Sequence, residues 1–416
     1  MAISASGIRN ANAEAGYGHM IPTVRATSPD SDTPFPRPTS LGEIFRLFLR
    51  LGMTAFGGPA AHLALMQVEA VERRKWMTRE RFLDLVGACN LLPGPGSTQV
   101  AMALGYSRRG WTGLLVAGTC FILPASFATL ALAWIYVRFG SLGVVQGLLY
   151  GAKPVMLAIL AQAVWKLGTS ASRTIPLALL SVACAAAALL GLHPLLILIA
   201  AGGLALLVKL RYRLARASGN FAAFAAPVSA GSLPVAATTA GSVALLPLLA
   251  VFLKLGVAVF GSGYVLLAFL QADLVQRLHW INSQQLLDAV TAGQLTPGPV
   301  FATATFLGYL LRGWSGAALA TLAIFLPSFV MAGLVGAMAE RIRNSSWAGA
   351  FLDGVNAAAV ALMASVALPL GRASLIDGWT WATAGVSALL LIRFRINATW
   401  LILASAGLGL ILHSRL

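Results

Sequence analysis

Leu92-Pro93-Gly94-Pro95-Gly96-Ser97-Thr98-Gln99 returns in the second half of this 416-residue chain as Thr296-Pro297-Gly298-Pro299-Val300-Phe301-Ala302-Thr303. An offset of 204 carries Pro93 onto Pro297, and the same offset carries Gly52, Phe56, Gly57, Trp76 and Asp84 onto Gly256, Phe260, Gly261, Trp280 and Asp288. One residue is then lost, and an offset of 203 relates Gly105-Tyr106, Arg109-Gly110-Trp111 and Leu123-Pro124 to Gly308-Tyr309, Arg312-Gly313-Trp314 and Leu326-Pro327. The chain is therefore an internal duplication covering most of residues 44–413. Proline removes a backbone donor and glycine lets the chain unwind, so each half carries two helix breaks, at 57–59 and 93–96, then at 261–263 and 297–299.

The setting of these breaks is a membrane. Hydrophobic residues make up 58% and charged residues 10% of the chain, and its mean hydropathy is +0.81, whereas a soluble domain is about a quarter charged. Residues 112–137 and 314–338 contain no charged side chain, and 175–208 is an uncharged run long enough for two short spans. The pattern predicts an all-α, polytopic membrane protein with roughly ten to thirteen spanning or re-entrant helices. A Ser/Thr/Pro-rich segment, 1–40, reads as a disordered tail, 41–216 as the first repeat, 217–242 as a linker and 243–416 as the second repeat.

The formal charge of +16 does not signal nucleic acid, because the basic residues cluster at the ends of apolar runs, as in Arg73-Arg74-Lys75 and Lys209 to Arg216. Such clusters anchor cytoplasmic loops, and their field also concentrates anions. Cys89, Cys120 and Cys184 are widely spaced and build no disulfide framework or metal cluster. No dinucleotide or phosphate-loop motif is present, so no cofactor is expected and any transport is secondary or passive.

In lipid, a broken helix is tolerated where its freed backbone groups face protein or a water-filled cavity, and matching breaks in two halves point to a transporter's central site. A half-helix starting after Pro95 or Pro299 offers unpaired N–H groups and a positive dipole end, which suit an anion. Ser97, Thr98 and Gln99 follow in the first half, and Thr303 and Thr305 in the second, as neutral donors. The predicted binding set is Arg50, Gly57, Pro59, Pro93, Gly94, Pro95, Ser97, Thr98 and Gln99 with Lys254, Gly261, Pro297, Gly298, Pro299, Thr303 and Thr305. Arg50 matches Lys254, and Glu69 matches Asp273, so a cation and a carboxylate recur in both halves; the carboxylates are candidates for proton coupling. His62, whose counterpart is Leu266, reads as a packed or cavity-lining histidine, and Tyr106 and Tyr309, each just before Arg-Gly-Trp, read as interfacial anchors.

The stretches FGGPAAH (56–62), LPGPGSTQVAMALGYSRRGW (92–111), FGSGY (260–264) and LTPGPVFATATFLGYLLRGW (295–314) resemble the paired signatures of the chromate ion transporter family in its long, two-domain form. The resemblance implies export of chromate across the bacterial inner membrane, linked to the proton motive force and giving chromate resistance. It implies chromate, protons and the lipid bilayer as partners, with sulfate as a competitor. An importer or general permease for sulfate-like oxyanions is the alternative, and a chromate-reducing enzyme is disfavoured by the missing nucleotide and metal motifs. The sequence sets neither the relative orientation of the repeats nor an oligomeric state.

Overall fold

The computed structural model describes residues 39–171, 174–217, 243–260, 263–343, 346–394 and 396–413. The tail up to residue 38, the linker over 218–242 and Gly261 lie outside them. The described residues are helical throughout, without a strand. The first repeat runs α1 (Leu41–Thr54), α2 (Gly58–Gln67, continued by a π-helical turn Val68–Arg73), α3 (Arg79–Asn90), α4 (Gly96–Phe139), α5 (Gly143–Ala171), α6 (Ile175–Leu189) and α7 (Pro194–Ala217). The second runs α8 (Leu245–Ala258), α9 (Val265–Leu270, continued by a π-helical turn Gln271–Arg277), α10 (Ser283–Leu295), a 3₁₀ turn (Val300–Ala302) leading into α11 (Thr303–Arg343), α12 (Ser346–Ser374), α13 (Gly378–Arg393) and α14 (Ala398–His413).

Five of these helical stretches are long and apolar enough to cross a membrane, within α4, α5, α7, α11 with its 3₁₀ lead-in, and α12. Large apolar side chains such as Trp165, Leu179, Leu246, Leu322 and Trp400 face outward, which suits hydrocarbon. The protein is a multi-pass membrane protein.

Helices α4 and α11 are not straight rods. Arg109 leaves helical geometry and Gly110 takes φ +59 and ψ −145, with Arg312 and Gly313 (φ +63, ψ −147) repeating this in the second half. The chain doubles back there: Gly105 packs against Gly113 and Ala117, and Gly308 against Gly316 and Ala320. A continuous helix would hold Gly105 and Ala117 roughly 18 Å apart. The Arg-Gly-Trp elements, expected as interfacial anchors, form hairpin turns, closed by edge-to-face Tyr106–Trp111 and Tyr309–Trp314 pairs at 5.7 and 5.5 Å, with Trp111 and Trp314 exposed. Each hairpin has a short first arm, 96–108 or 303–311, and a long second arm.

The break segments form two further hairpins per repeat. Glu43 near the start of α1 pairs with Arg74 beyond the end of α2 at 3.4 Å, and Arg50 with Glu69, so α1 and α2 run antiparallel with residues 55–58 at the tip. The next hairpin, α3 plus the first arm of α4, has Pro93-Gly94-Pro95 at its tip and returns to the same level. There Arg108 lies 5.7 Å over Trp76 and its Nε donates to Thr39 Oγ1 at 2.8 Å. Thr39, Arg74, Trp76 and Arg108 mark the base of the first repeat.

The base of the second repeat lies at the opposite end. From Trp111 beside the first base, the long arm of α4 travels roughly 38 Å to Tyr136, whose hydroxyl donates to Asp288 of α10 at 3.0 Å. Nearby Ser283 opens α10 and accepts from Gln271 at 3.2 Å, level with the Lys254–Asp273 pair. The repeats are therefore inverted, and their tips interlock. Gly94 N–H donates to Val259 C=O at 2.6 Å, and Gly298 N–H donates to Ala55 C=O at 2.9 Å. Ala55 and Val259 are themselves equivalent under the 204 offset, so the exchange is reciprocal.

Candidate substrate site

The tips are shaped by residues without alternatives. Gly94 has φ +119 and Gly298 φ +96, the region that L side chains avoid. A Cβ on Gly94 would stand 2.6 Å from Gln99 Nε2 and 2.8 Å from Ser328 Oγ; one on Gly298 would stand 2.8 Å from Ala125 Cβ. Pro95 and Pro299 then sit immediately before the helix starts. Gln99 folds back, its Nε2 donating to Pro93 C=O at 2.5 Å, so this side chain satisfies a carbonyl that the proline-interrupted helix leaves free.

Between the tips lies a cavity of about 50 Å³, lined by Pro59, Asn90, Pro95, Ser97, Pro299 and Phe301 among others. A site of roughly 10–15 Å³ on this measure holds one water, so the cavity takes a few waters or one small ligand. Four chain breaks converge on it: Pro59 stands in the first turn of α2, Gly263 precedes α9, Gly96 opens α4 and Val300 opens the turn into α11. The first N–H groups of a helix have no acceptor within it, and here those of Gly96, Ser97, Val300 and Phe301 belong to residues lining the cavity. Thr98 and Thr303 are buried with hydroxyls that meet no partner, as does Ser328 beside Gly94. None of these three is among the residues lining the cavity, and the Thr303 hydroxyl faces Gly293 of α10.

His62 ties the two tips of the first repeat together, as a buried histidine packed beside the cavity. Its Nε2 lies 3.1 Å from Ala55 C=O and its Nδ1 3.2 Å from Ser97 Oγ, while its ring stands edge-on to Phe121 at 5.4 Å. Gly57, with φ +104, caps α2. Thr305 points elsewhere: its hydroxyl meets Thr321 at 2.7 Å, between the two arms of α11. Thr296, just before Pro297, meets Thr129 of α4 at 3.1 Å.

Among the described residues, no lysine or arginine lines this cavity. The recurring cation and recurring carboxylate, singled out for separate tasks, are instead brought together in each repeat, away from the tips: Arg50 and Lys254 stand five residues before Ala55 and Val259, and the carboxylates about three turns into the following helices. Glu69 binds Arg50, Arg73 (2.8 Å) and Arg74. Asp273, fully buried, binds Lys254 at 2.7 Å, His193 at 3.3 Å and Arg277 at 3.4 Å. Both carboxylates sit in the matching π-helical turns, a helix form concentrated at functional positions. His193, at the mouth of α7, was missed by sequence reasoning, because nothing local to it announces a partner in another repeat. A second cluster escaped for the same reason: Lys153 of α5 pairs with Asp288 at 2.8 Å beside Tyr136.

Inverted repeats, interlocked broken helices and a cavity at their meeting point define a membrane transporter. The chain belongs to the chromate transporter family, whose model matches residues 42–207 and again 246–410. It is 33% identical over 380 residues to the chromate transport protein of Cupriavidus metallidurans, covering 90% of this chain and 94% of the relative. It is 32% identical over 389 residues to the chromate transport protein of Pseudomonas aeruginosa, covering 90% and 92%. A shorter relative, the uncharacterized transporter YwrA of Bacillus subtilis, is 29% identical over 168 residues, 39% of this chain but 94% of its own length. No solved structure matches this chain.

Proposed function

We propose that this chain exports chromate through the inter-repeat cavity, powered by the proton motive force, and so protects the cell from chromate. The observation that carries this reading is the convergence of four helix breaks on one cavity that holds neutral donors and no fixed cation. A tetrahedral dianion fits such a place: it is bound by N–H groups and hydroxyls, without the tight ion pair that would slow its release. Pro93, Gly94, Pro95, Pro297, Gly298 and Pro299 build the tips, Ser97 supplies a hydroxyl at the cavity, Gln99 braces the first tip through Pro93, Thr98 and Thr303 stand buried behind the helix starts, and Thr305 supports the arm behind them. Arg50 and Lys254 provide positive potential away from the tips, and Glu69 and Asp273 are the groups through which protons exchange.

Orientation supports the outward direction. The first base carries Arg73, Arg74, Lys75, Arg79, Arg81, Arg108 and Arg109, and Lys209 and Arg211 at the far end of α7 join it. The opposite end carries Arg138, Arg277, Arg312 and Arg372. The positive-inside rule assigns the first base to the cytoplasm, where its field gathers anions. An inside-negative membrane then drives a dianion outward by roughly 4.6 kcal/mol per 100 mV, twice the value for one charge.

Uptake of labelled chromate into everted vesicles, with voltage and pH gradient imposed separately, tests the reading. Export predicts uptake that grows with an inside-positive vesicle potential and weakens under excess sulfate. Cells that accumulate more chromate on expression, rather than less, would overturn export in favour of an oxyanion importer.

A further inference from the structure

A larger cavity, about 340 Å³, lies at the end opposite the arginine-rich base, between α4, α5, α10 and α12. Its rim includes the exposed Gln146 and Ile376, and its inner wall is Lys153, Asp288, Tyr136 and Ser374. Lys153 is the buried cation of α5, held by Asp288 at 2.8 Å, with the Gln284 side chain set between it and the Ala373 carbonyl. Ser374 is buried, and its hydroxyl has no partner. A buried ion pair is weak evidence for stability, and a cavity of this size against it leaves room for a ligand.

Two polar contacts, with apolar residues of α4 between them, lie in line from the cavity toward the central tips. Antiparallel α4 and α10 meet at Thr129–Thr296, directly before Pro297, and again two turns away at Tyr136–Asp288. The inverted counterparts of these residues do not repeat that line. The offsets carry Thr129 to Ala332, Thr296 to Leu92, Tyr136 to Ala339 and Lys153 to Asn356, and only Asp288 recurs, as Asp84. The feature therefore belongs to one side of the membrane and is not a by-product of the duplication.

We propose that this cavity is a second oxyanion-binding station, on the side away from the arginine-rich base, in which a tetrahedral dianion displaces the Asp288 carboxylate from the Lys153 ammonium. The inference rests on the oxyanion transport proposed above. Lys153 donates charge-assisted hydrogen bonds to the anion, and the Ser374 and Tyr136 hydroxyls and the Gln284 amide complete its shell. Asp288 competes with the anion for Lys153, which keeps binding weak enough for release.

Exchange in vesicles of both orientations tests this, with chromate loaded inside and chromate or sulfate added outside. Lys153→Gln should raise the half-saturating oxyanion concentration at the face of the second station roughly tenfold, the value of one charge-assisted hydrogen bond, and move it more there than at the other face. Lys153→Arg should recover part of the loss, and Asp288→Asn, which removes the competitor and keeps the fold's hydrogen bonds, should lower the same concentration. Equal effects of Lys153→Gln on both faces, or a Lys153→Gln/Asp288→Asn double variant with wild-type exchange, would reduce the pair to a structural one. If Lys153→Gln fails to reach the membrane, Asp288→Asn decides alone, and unchanged or weaker binding in it overturns the station. Wild-type vesicles that exchange no oxyanion would overturn the transport reading itself, whereas normal wild-type exchange with insensitive variants would sink only the second station.

Discussion

At the residue scale, the tips should be intolerant of any side chain. Gly94→Leu and Gly298→Leu each place carbon where Gln99 or Ala125 already stands and force a positive φ on an L residue, at roughly 1–2 kcal/mol for the backbone alone. Transport should be lost while protein remains in the membrane, as read by vesicle uptake against immunoblot. Near-normal rates in both variants would remove the cavity assignment.

The charged pairs separate in a different way. Arg50→Gln leaves Glu69 with Arg73 and Arg74, so the fold should survive while the half-saturating chromate concentration rises; Arg50→Lys should keep part of the affinity. Lys254→Gln leaves the fully buried Asp273 with only His193 and Arg277, and removing one partner of a buried pair costs about 3–5 kcal/mol. Thermal unfolding of the purified variants should therefore show the second substitution as the more damaging. A smaller shift for Lys254→Gln than for Arg50→Gln would contradict the asymmetry of the two clusters.

At the element scale, the hairpin turns offer a clean contrast. Gly110 has open space around it and a φ of +59 with a ψ of −145, so Gly110→Ala should destabilise through backbone strain alone, by roughly 1–3 kcal/mol. Gly87, inside α3 with equally open surroundings, should gain about 0.5–1 kcal/mol on replacement by alanine. Melting temperatures moving in the same direction would refute the turn geometry.

These elements also mark what a sequence can reveal. The breaks at Pro93-Gly94-Pro95 and Pro297-Gly298-Pro299 were legible because proline and glycine act locally, and their recurrence made them a set. The hairpin at Arg109-Gly110 was not, because Arg-Gly-Trp reads equally well as an anchor at the membrane surface; only the packing of Gly105 on Gly113 distinguishes the two. Arg50 with Glu69 and Lys254 with Asp273 were each found as recurring residues but not as partners, since 19 positions of separation become contact only when the chain folds back. Lys153 and Asp288 belong to different repeats, and no local pattern links them.

At the scale of the whole molecule, inversion is the property no residue announces, because a repeat carries the same side chains whichever way it is inserted. It is directly measurable. Single cysteines at Arg79 and Ser283, at the starts of α3 and α10, should react with a membrane-impermeant thiol reagent from opposite faces, with Ser283→Cys labelled in intact cells and Arg79→Cys only after lysis. Labelling of both from one face would make the repeats parallel and undo the orientation argument for export.

The exchange of Gly94 with Val259 and Gly298 with Ala55 also sets a timetable for assembly. When the ribosome has delivered the first repeat into the bilayer, the amide hydrogen of Gly94 has no acceptor of its own, and the one it will use lies 165 residues further along the chain (259 − 94). An unsatisfied backbone donor in hydrocarbon costs several kcal/mol. The half-made protein therefore waits, hydrated or chaperoned, and closes its centre only when a second, oppositely inserted repeat arrives.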